Sequence, residues 1–291
     1  MEKRKSKWTI EGKTCLITGA TSGIGKITAI ELSRMGGNIV FTTRSIGIAE
    51  KVKDEIISKT QNPNIDFLEC DLSSFDSIKK FVETFKSKYS ALHILINNAG
   101  VWGIRRRLSK DGIENTFAVN YLAPFLLTNL LLDIIKKSMP ARIINVSSEM
   151  HKGATINFED LEFKKHFGGI KAYSHSKLAL IIFTRELARK LQGTGVTVNA
   201  VHPGLVRTEI FRALPVFIKK FIYMFALPPE EGAKTSIYVA TSDEISDISG
   251  EYFAKEKIEK ASDESYNLEE AKKLWNISIE YVKKYIEKSE V

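Results

Sequence analysis

Short apolar runs of strand length alternate with longer runs of helical period through the first two thirds of this 291-residue chain, and that alternation limits its fold more than any other feature. KTCLIT at 13–18, NIVFTT at 38–43, NIDFLEC at 64–70, LHILIN at 92–97, ARIINVS at 141–147 and VTVNAVH at 196–202 read as strands. Between them fall helical segments over 24–35 and about 47–59, one carrying Ile78, Phe81, Val82 and Phe85 at i, i+3, i+4 and i+7, a long one over 111–138, and one over AYSHSKLALIIFTRELARKLQ. Strands this apolar are buried on both faces, as in parallel sheets covered by helices. The repeated alternation implies right-handed crossovers and a doubly wound sheet. The expected fold class is α/β: a single domain over 1–291, with a parallel sheet of about seven strands and helices on both faces. The last third departs from the pattern with an apolar stretch at 210–227, a helix over 230–242, and a final helix that Asn267 and Glu270 open like a capping box.

Composition narrows the function classes. The two cysteines, Cys15 and Cys70, sit in apolar strand-like runs with no partner at metal-ligand spacing, which suits reduced packing thiols and no metal site. The net charge of +8 raises nucleic acid as a partner. However, Lys and Arg are interleaved with Glu and Asp, as on solvated helix faces, and the sharpest cluster, Arg105, Arg106 and Arg107, is short and has no nucleic-acid-binding signature beside it. The basic N-terminus MEKRKSKWTIEGK has no apolar core of a signal peptide or anchor, and no uninterrupted apolar run reaches about 20 residues, so the expected location is cytoplasmic.

The first strand runs into TGATSGIGK and then a helix. Gly19, Gly23 and Gly25 are spaced to permit a tight turn, a close approach of backbone to a pyrophosphate, and close helix–strand packing, the physics of a Rossmann dinucleotide site. The helix N-terminus offers free N–H groups to phosphates. At the end of the second strand, where NAD sites carry a carboxylate for the ribose 2′-OH, stand Thr43 and Arg44. A guanidinium suits a 2′-phosphate, so the expected cofactor is NADP(H) rather than NAD.

Tyr173 and Lys177 stand at i and i+4 on one helix face. A nearby ammonium favours the phenolate, so Tyr173 is expected to have a lowered pKa and to exchange a proton near neutral pH. Together, TGATSGIG at 18–25, CDLSS at 70–74, NNAG at 97–100, FAVNYLAPFLLT at 117–128, RIINVSS at 142–148, YSHSK at 173–177 and VHPGLVRTE at 201–209 resemble the short-chain dehydrogenase/reductase family, and more narrowly its retinol-dehydrogenase-like branch. The resemblance runs in order from about 13 to 210.

The resemblance implies roles at the matching positions. Tyr173 would be the proton donor in reduction and acceptor in oxidation. Lys177 would bind the nicotinamide ribose, and Ser148 would hydrogen-bond the substrate oxygen, with Ser147 the adjacent candidate. Asn120 would hold a helix distortion and a water on the proton path. Thr21, Ser22 and Ile24 would join the glycines at the pyrophosphate. Asp71 and Leu72 would border the adenine, and Asn98, Ala99 and Gly100 the adenine ribose. Pro203, Gly204, Val206 and Thr208 would wrap the nicotinamide. The implied division is a Rossmann core over about 13–205, a substrate lid over about 206–228 and a C-terminal part over about 229–291.

Between Ser148 and Tyr173 the gap of 25 positions is longer than in compact family members, and the insertion is of the kind seen in the retinol-dehydrogenase-like branch. His151 and His166 within it read as structural or solvent-facing, His175 as turned from the site, and His202 as positioning backbone. The apolar stretch 210–227 suits a retinoid-, steroid-, lipid- or aromatic-like substrate, and with Arg212, Lys219 and Lys220 it could rest on anionic lipid, act as a lid away from lipid, or form a core or dimer contact. Family members are often homodimers or tetramers. The expected function is an NADP(H)-dependent oxidoreductase moving a hydride between nicotinamide and a carbonyl or alcohol of a small apolar substrate. The alternative is a catalytically idle NADP-binding regulator of the same fold.

Overall fold

A computed structural model of the chain describes residues 8–207, 219 and 223–286. Strands β1 (Thr14–Ile17), β2 (Asn38–Thr43), β3 (Ile65–Glu69), β4 (Ile94–Asn97), β5 (Ala141–Val146), β6 (Val196–His202), β7 (Tyr252–Ala254) and β8 (Lys257–Ile258) form one sheet in the order β3-β2-β1-β4-β5-β6-β7-β8. Seven strands are parallel. The eighth is a two-residue antiparallel return that "about seven" did not include.

Alternate side chains of each strand serve two different cores, because successive residues point to opposite faces. Leu16, Val40, Leu95, Ile143 and Val198 face one layer. It contains α3 (Phe75–Lys88), α5 (Ala123–Lys137), α6 (Gly169–Lys190) and the C-terminal α8 (Leu268–Val282). Ile17, Phe41, Ile96, Ile144 and Val201 face the other. That layer contains α1 (Gly23–Arg34), α2 (Ile46–Thr60) and α7 (Pro229–Thr241). Burial on both faces is why the strands read as largely apolar rather than alternating.

The long helix expected over 111–138 is interrupted. Gly112 adopts φ +77°, and the Glu114 carboxylate accepts hydrogen bonds from the N–H groups of Thr116 and Phe117, so the helix starts at Asn115. A short α4 (Asn115–Phe117) passes into a π-helical turn (Ala118–Leu122) before α5. Residues 115–137 are long and apolar enough to span a bilayer, yet their most apolar 18-residue window is 94% buried inside the fold, where it forms the centre of one core layer.

The last helix is opened by Asn267, whose side-chain oxygen accepts from Glu269 and Glu270 N–H. The Asn267 N–H itself donates to the Glu264 carbonyl, so the reciprocal half of a capping box is not formed. Trp275 from α8 meets Phe125 at 5.0 Å and Phe183 at 5.9 Å between ring centroids, and this contact fixes the C-terminal part on α5 and α6.

Candidate active site

The carboxyl ends of the central strands open into one cleft of about 880 Å³. At its first wall, Thr18 Oγ accepts from the N–H groups of Asn98 and Ala99, each at 3.0 Å, tying the end of β1 to the end of β4. Asn98 Nδ2 returns bonds to the Thr18 and Gly19 carbonyls. The glycines are required by this closeness. Gly19 lies at φ +68°, and a Cβ there would come within 2.9 Å of Ala99 Cα. A Cβ on Gly25 would meet Asn98 Nδ2 at 2.4 Å. The start of α1 carries no side-chain cap from Ser22 and no acid in its first turn, so its N–H groups face the cleft without a protein acceptor from the capping residue.

Gly19, Thr21, Ser22, Gly23, Ile24, Gly25, Arg44, Asp71, Leu72, Asn98, Ala99, Gly100, Pro203, Gly204 and Val206 all line this cleft, as do Ser148, Tyr173 and Lys177. Thr208 lies outside the described residues, as does most of 210–227. Arg44 is exposed at the rim, and among the described residues no carboxylate pairs with it. Asp71 is bound to Lys110 at 2.9 Å; burial pushes its carboxyl up, but bonds from Lys110 and Ser73 outweigh that and hold it below its usual range.

At the other end, Ser148 follows β5 and Tyr173 and Lys177 stand on α6, with the Ser148 hydroxyl near enough to Tyr173 to pull the phenol's pKa down. The Lys177 ammonium donates to the Val146 carbonyl at 2.8 Å and lies 5.6 Å from the centre of the Tyr173 ring. Ser147 is buried and donates to the Lys177 carbonyl, which leaves Ser148 as the serine beside Tyr173. Asn120 does not line the cleft. It is fully buried in the π-helical turn, accepts from Val101 N–H, and donates to the Val101 carbonyl and Ser176 Oγ. The distortion expected at this residue is present, because an amide held by a neighbouring loop pulls its own backbone out of α register.

One expectation is reversed. Burial pushes the Tyr173 phenol up to about 12, opposed by the Ser148 hydroxyl, and Lys177 does not offset it. Burial also lowers the Lys177 ammonium to about 8. Desolvation of an enclosed cleft outweighs the attraction that i, i+4 spacing suggested. The tyrosine is therefore held as a neutral phenol at pH 7 by the protein's own groups.

Several cleft residues were not picked out from the sequence. Val101, Trp102, Met150, Ile170 and Leu205 add apolar side chains to the lining of the cleft, and nothing in their local pattern singles them out in the sequence. Thr18 was passed over because it follows a strand directly and looks like its last residue. His202 accepts from Glu149 N–H through Nδ1, His175 is buried against Phe117 and Phe163, and His166 is exposed, in keeping with their readings.

Residues 13–216 match the family model for short chain dehydrogenase. The chain belongs to the short-chain dehydrogenase family. It is 42% identical over 279 residues to human retinol dehydrogenase 13, an alignment covering 93% of this chain and 84% of that protein. It is 40% identical over 278 residues to human polyprenol dehydrogenase, covering 92% and 84%. Among solved structures, an uncharacterised protein from Mycobacterium Paratuberculosis aligns over 96% of both chains with TM-score 0.78 and 28% identity. As a short-chain dehydrogenase of the retinol-dehydrogenase-like branch, the protein is an oxidoreductase that uses a nicotinamide cofactor. The glycine cradle that side chains would fill, the uncapped start of α1 and the exposed Arg44 fit such a dinucleotide.

Proposed function

We propose that the protein is an NADP(H)-dependent dehydrogenase/reductase acting on a carbonyl or alcohol of a small, largely apolar substrate. The observation that carries this reading is the convergence of Tyr173, Ser148 and Lys177 at one end of a cleft whose other end presents Arg44 and no carboxylate at the ribose position. When bound, the nicotinamide supplies or accepts the hydride.

The residues of the chain do the rest. Ser148 Oγ accepts from Met150 N–H at 3.2 Å, so its O–H, which otherwise favours the Tyr173 phenolate, can turn to the substrate oxygen and stabilise charge growing there. Tyr173, a neutral phenol, gives its proton to that oxygen in the reductive direction. Oxidation needs the phenolate, so it is favoured by alkaline pH. Lys177 spends one N–H on Val146, and its other two are available to ribose hydroxyls. Gly19, Thr21, Ser22, Gly23, Ile24 and Gly25 would hold the pyrophosphate. Arg44 would hold the 2′-phosphate, and Asp71 and Leu72 would border the adenine. Trp102, Met150, Ile170 and Leu205 give the substrate end an apolar wall, which supports a lipid-derived, retinoid-like or aromatic substrate over a sugar.

The test is a panel of aldehydes, ketones and alcohols run with NADP(H) and NAD(H), on the parent and on Arg44→Asp. The parent is expected to prefer NADPH, and Arg44→Asp to weaken or reverse that preference by tenfold or more, on the order of one charge-assisted contact. Unchanged selectivity in the variant would remove the role given to Arg44.

A further inference from the structure

His151 is fully buried three residues after Ser148, in the insertion that separates Ser148 from Tyr173. Its two ring nitrogens make different bonds. Nε2 accepts the N–H of Ser262 at 3.1 Å, across 111 residues of sequence. An imidazole nitrogen that accepts from a backbone N–H carries no proton, so the ring hydrogen is on Nδ1. Nδ1 lies 2.7 Å from the Ser148 carbonyl oxygen and therefore donates to it. The same oxygen accepts the His151 backbone N–H at 3.2 Å. The ring is held edge-to-face against Tyr252 of β7 at 4.8 Å.

We propose that His151 is a positioning residue for the reaction: by donating Nδ1–H to the Ser148 carbonyl while the Ser262 N–H fixes its tautomer, it sets the turn that aims Ser148 Oγ at Tyr173. This inference rests on the reading of Ser148 and Tyr173 given above. The turn Glu149–His151 is a single 3-10 turn, and such short turns hold their shape poorly alone. Here it is clamped from two sides. His202 at the end of β6 accepts Glu149 N–H at 3.2 Å, and His151 ties the Ser148 carbonyl to the stretch after β8. Ser262 lies beyond the 13–216 region that matches the family model. The C-terminal part of the chain thus reaches the serine through one imidazole. A tilt of the Ser148 peptide would move Oγ relative to the substrate oxygen, and small misplacements of a donor aimed at a transition state cost rate more than ground-state binding.

Two isosteric replacements separate the two ring bonds. In His151→Asn the side-chain amide falls near Nδ1 and keeps a donor for Ser148. In His151→Gln it falls near Nε2 and keeps an acceptor for Ser262. We measure kcat and KM for a turned-over aldehyde with NADPH, the NADPH dissociation constant by fluorescence, and the thermal midpoint. His151→Gln is expected to lose about tenfold in kcat with NADPH affinity within threefold of the parent, and His151→Asn to keep kcat within about threefold. Equal loss in both variants, or no loss in His151→Gln, would overturn the proposal, as would kcat that follows the thermal midpoint alone. If His151→Gln does not fold, Ser262→Pro takes its place. Ser262 has φ −62°, which proline adopts, and the substitution deletes the N–H that fixes the ring. A several-fold fall in kcat at unchanged NADPH affinity supports the proposal and an unchanged kcat refutes it. Ser148→Ala keeps the two readings apart. If it is fully active, the reading of the catalytic site fails. If it is inactive while His151→Gln is unimpaired, only the role of His151 fails.

Discussion

At the residue scale, the site holds charges and rings that weaken the fold that carries them. Lys177 is only 3% exposed, and burial lowers its pKa to about 8 from an ordinary value near 10.5. A folded value below the unfolded one means that the unfolded chain binds this proton more tightly. Its stabilising contribution is therefore full only above about pH 10.5 and is lost as pH falls through 8. At pH 7 the buried ammonium is a cost on the order of 3 kcal/mol. Lys177→Met is accordingly expected to raise cofactor-free stability at pH 7 by about 1–2 kcal/mol, even though Val146 loses its donor, while turnover collapses. Urea denaturation at pH 7 and at pH 10 checks this, and a lower midpoint at pH 7 would count against it. His175 and His202 follow the same logic lower on the scale. Burial takes both to about 4, and neither nitrogen of His175 finds a hydrogen-bond partner among the described residues. Their contributions are present above about pH 6.5 and lost as pH falls through 4, by up to about 3 kcal/mol each. His175→Leu should flatten the fall in stability between pH 6.5 and 4; an unchanged slope would show that the titration lies elsewhere.

At the element scale, the strands and most helices were legible because their signals are local. β2 and β6 fall on 38–43 and 196–202 as expected, since β-branched and apolar residues dominate strands whose two faces are both covered. The π-helical turn was not legible from periodicity. It depends on Asn120 reaching Val101, a contact that exists only once β4 and its loop are in place. The pKa of Tyr173 was misread for a related reason: the spacing to Lys177 is visible in sequence, whereas the depth of the cleft is not. His151 was seen as structural or solvent-facing, but its partner Ser262 could not be found from 111 residues away. Helix α8 gives the sharpest test of packing. Trp275 is 5% exposed and wedged against Phe125 and Phe183, so Trp275→Ala is expected to cost about 3–5 kcal/mol, read from the shift in urea midpoint. A loss under 1 kcal/mol would mean that the C-terminal part is not docked as described.

At the scale of the whole molecule, the cleft joins groups from the ends of six parallel strands, so a ligand that fills it should brace the whole sheet. With NADPH at about 100 times its dissociation constant, stability should rise by about 2.7 kcal/mol, and the thermal midpoint by roughly 5–10 °C. The same concentration of NADH should do less, and equal shifts would speak against a 2′-phosphate contact at Arg44. The central claim is that Tyr173, a neutral phenol beside Ser148 and Lys177, hands its proton to the substrate oxygen. Tyr173→Phe removes that proton and little else. Single-turnover reduction of an aldehyde by NADPH, followed beside an NADPH binding titration, tests it directly. The expected result is a rate lower by about a factor of 100 to 10,000 with NADPH affinity within threefold of the parent. A rate within tenfold of the parent would contradict it.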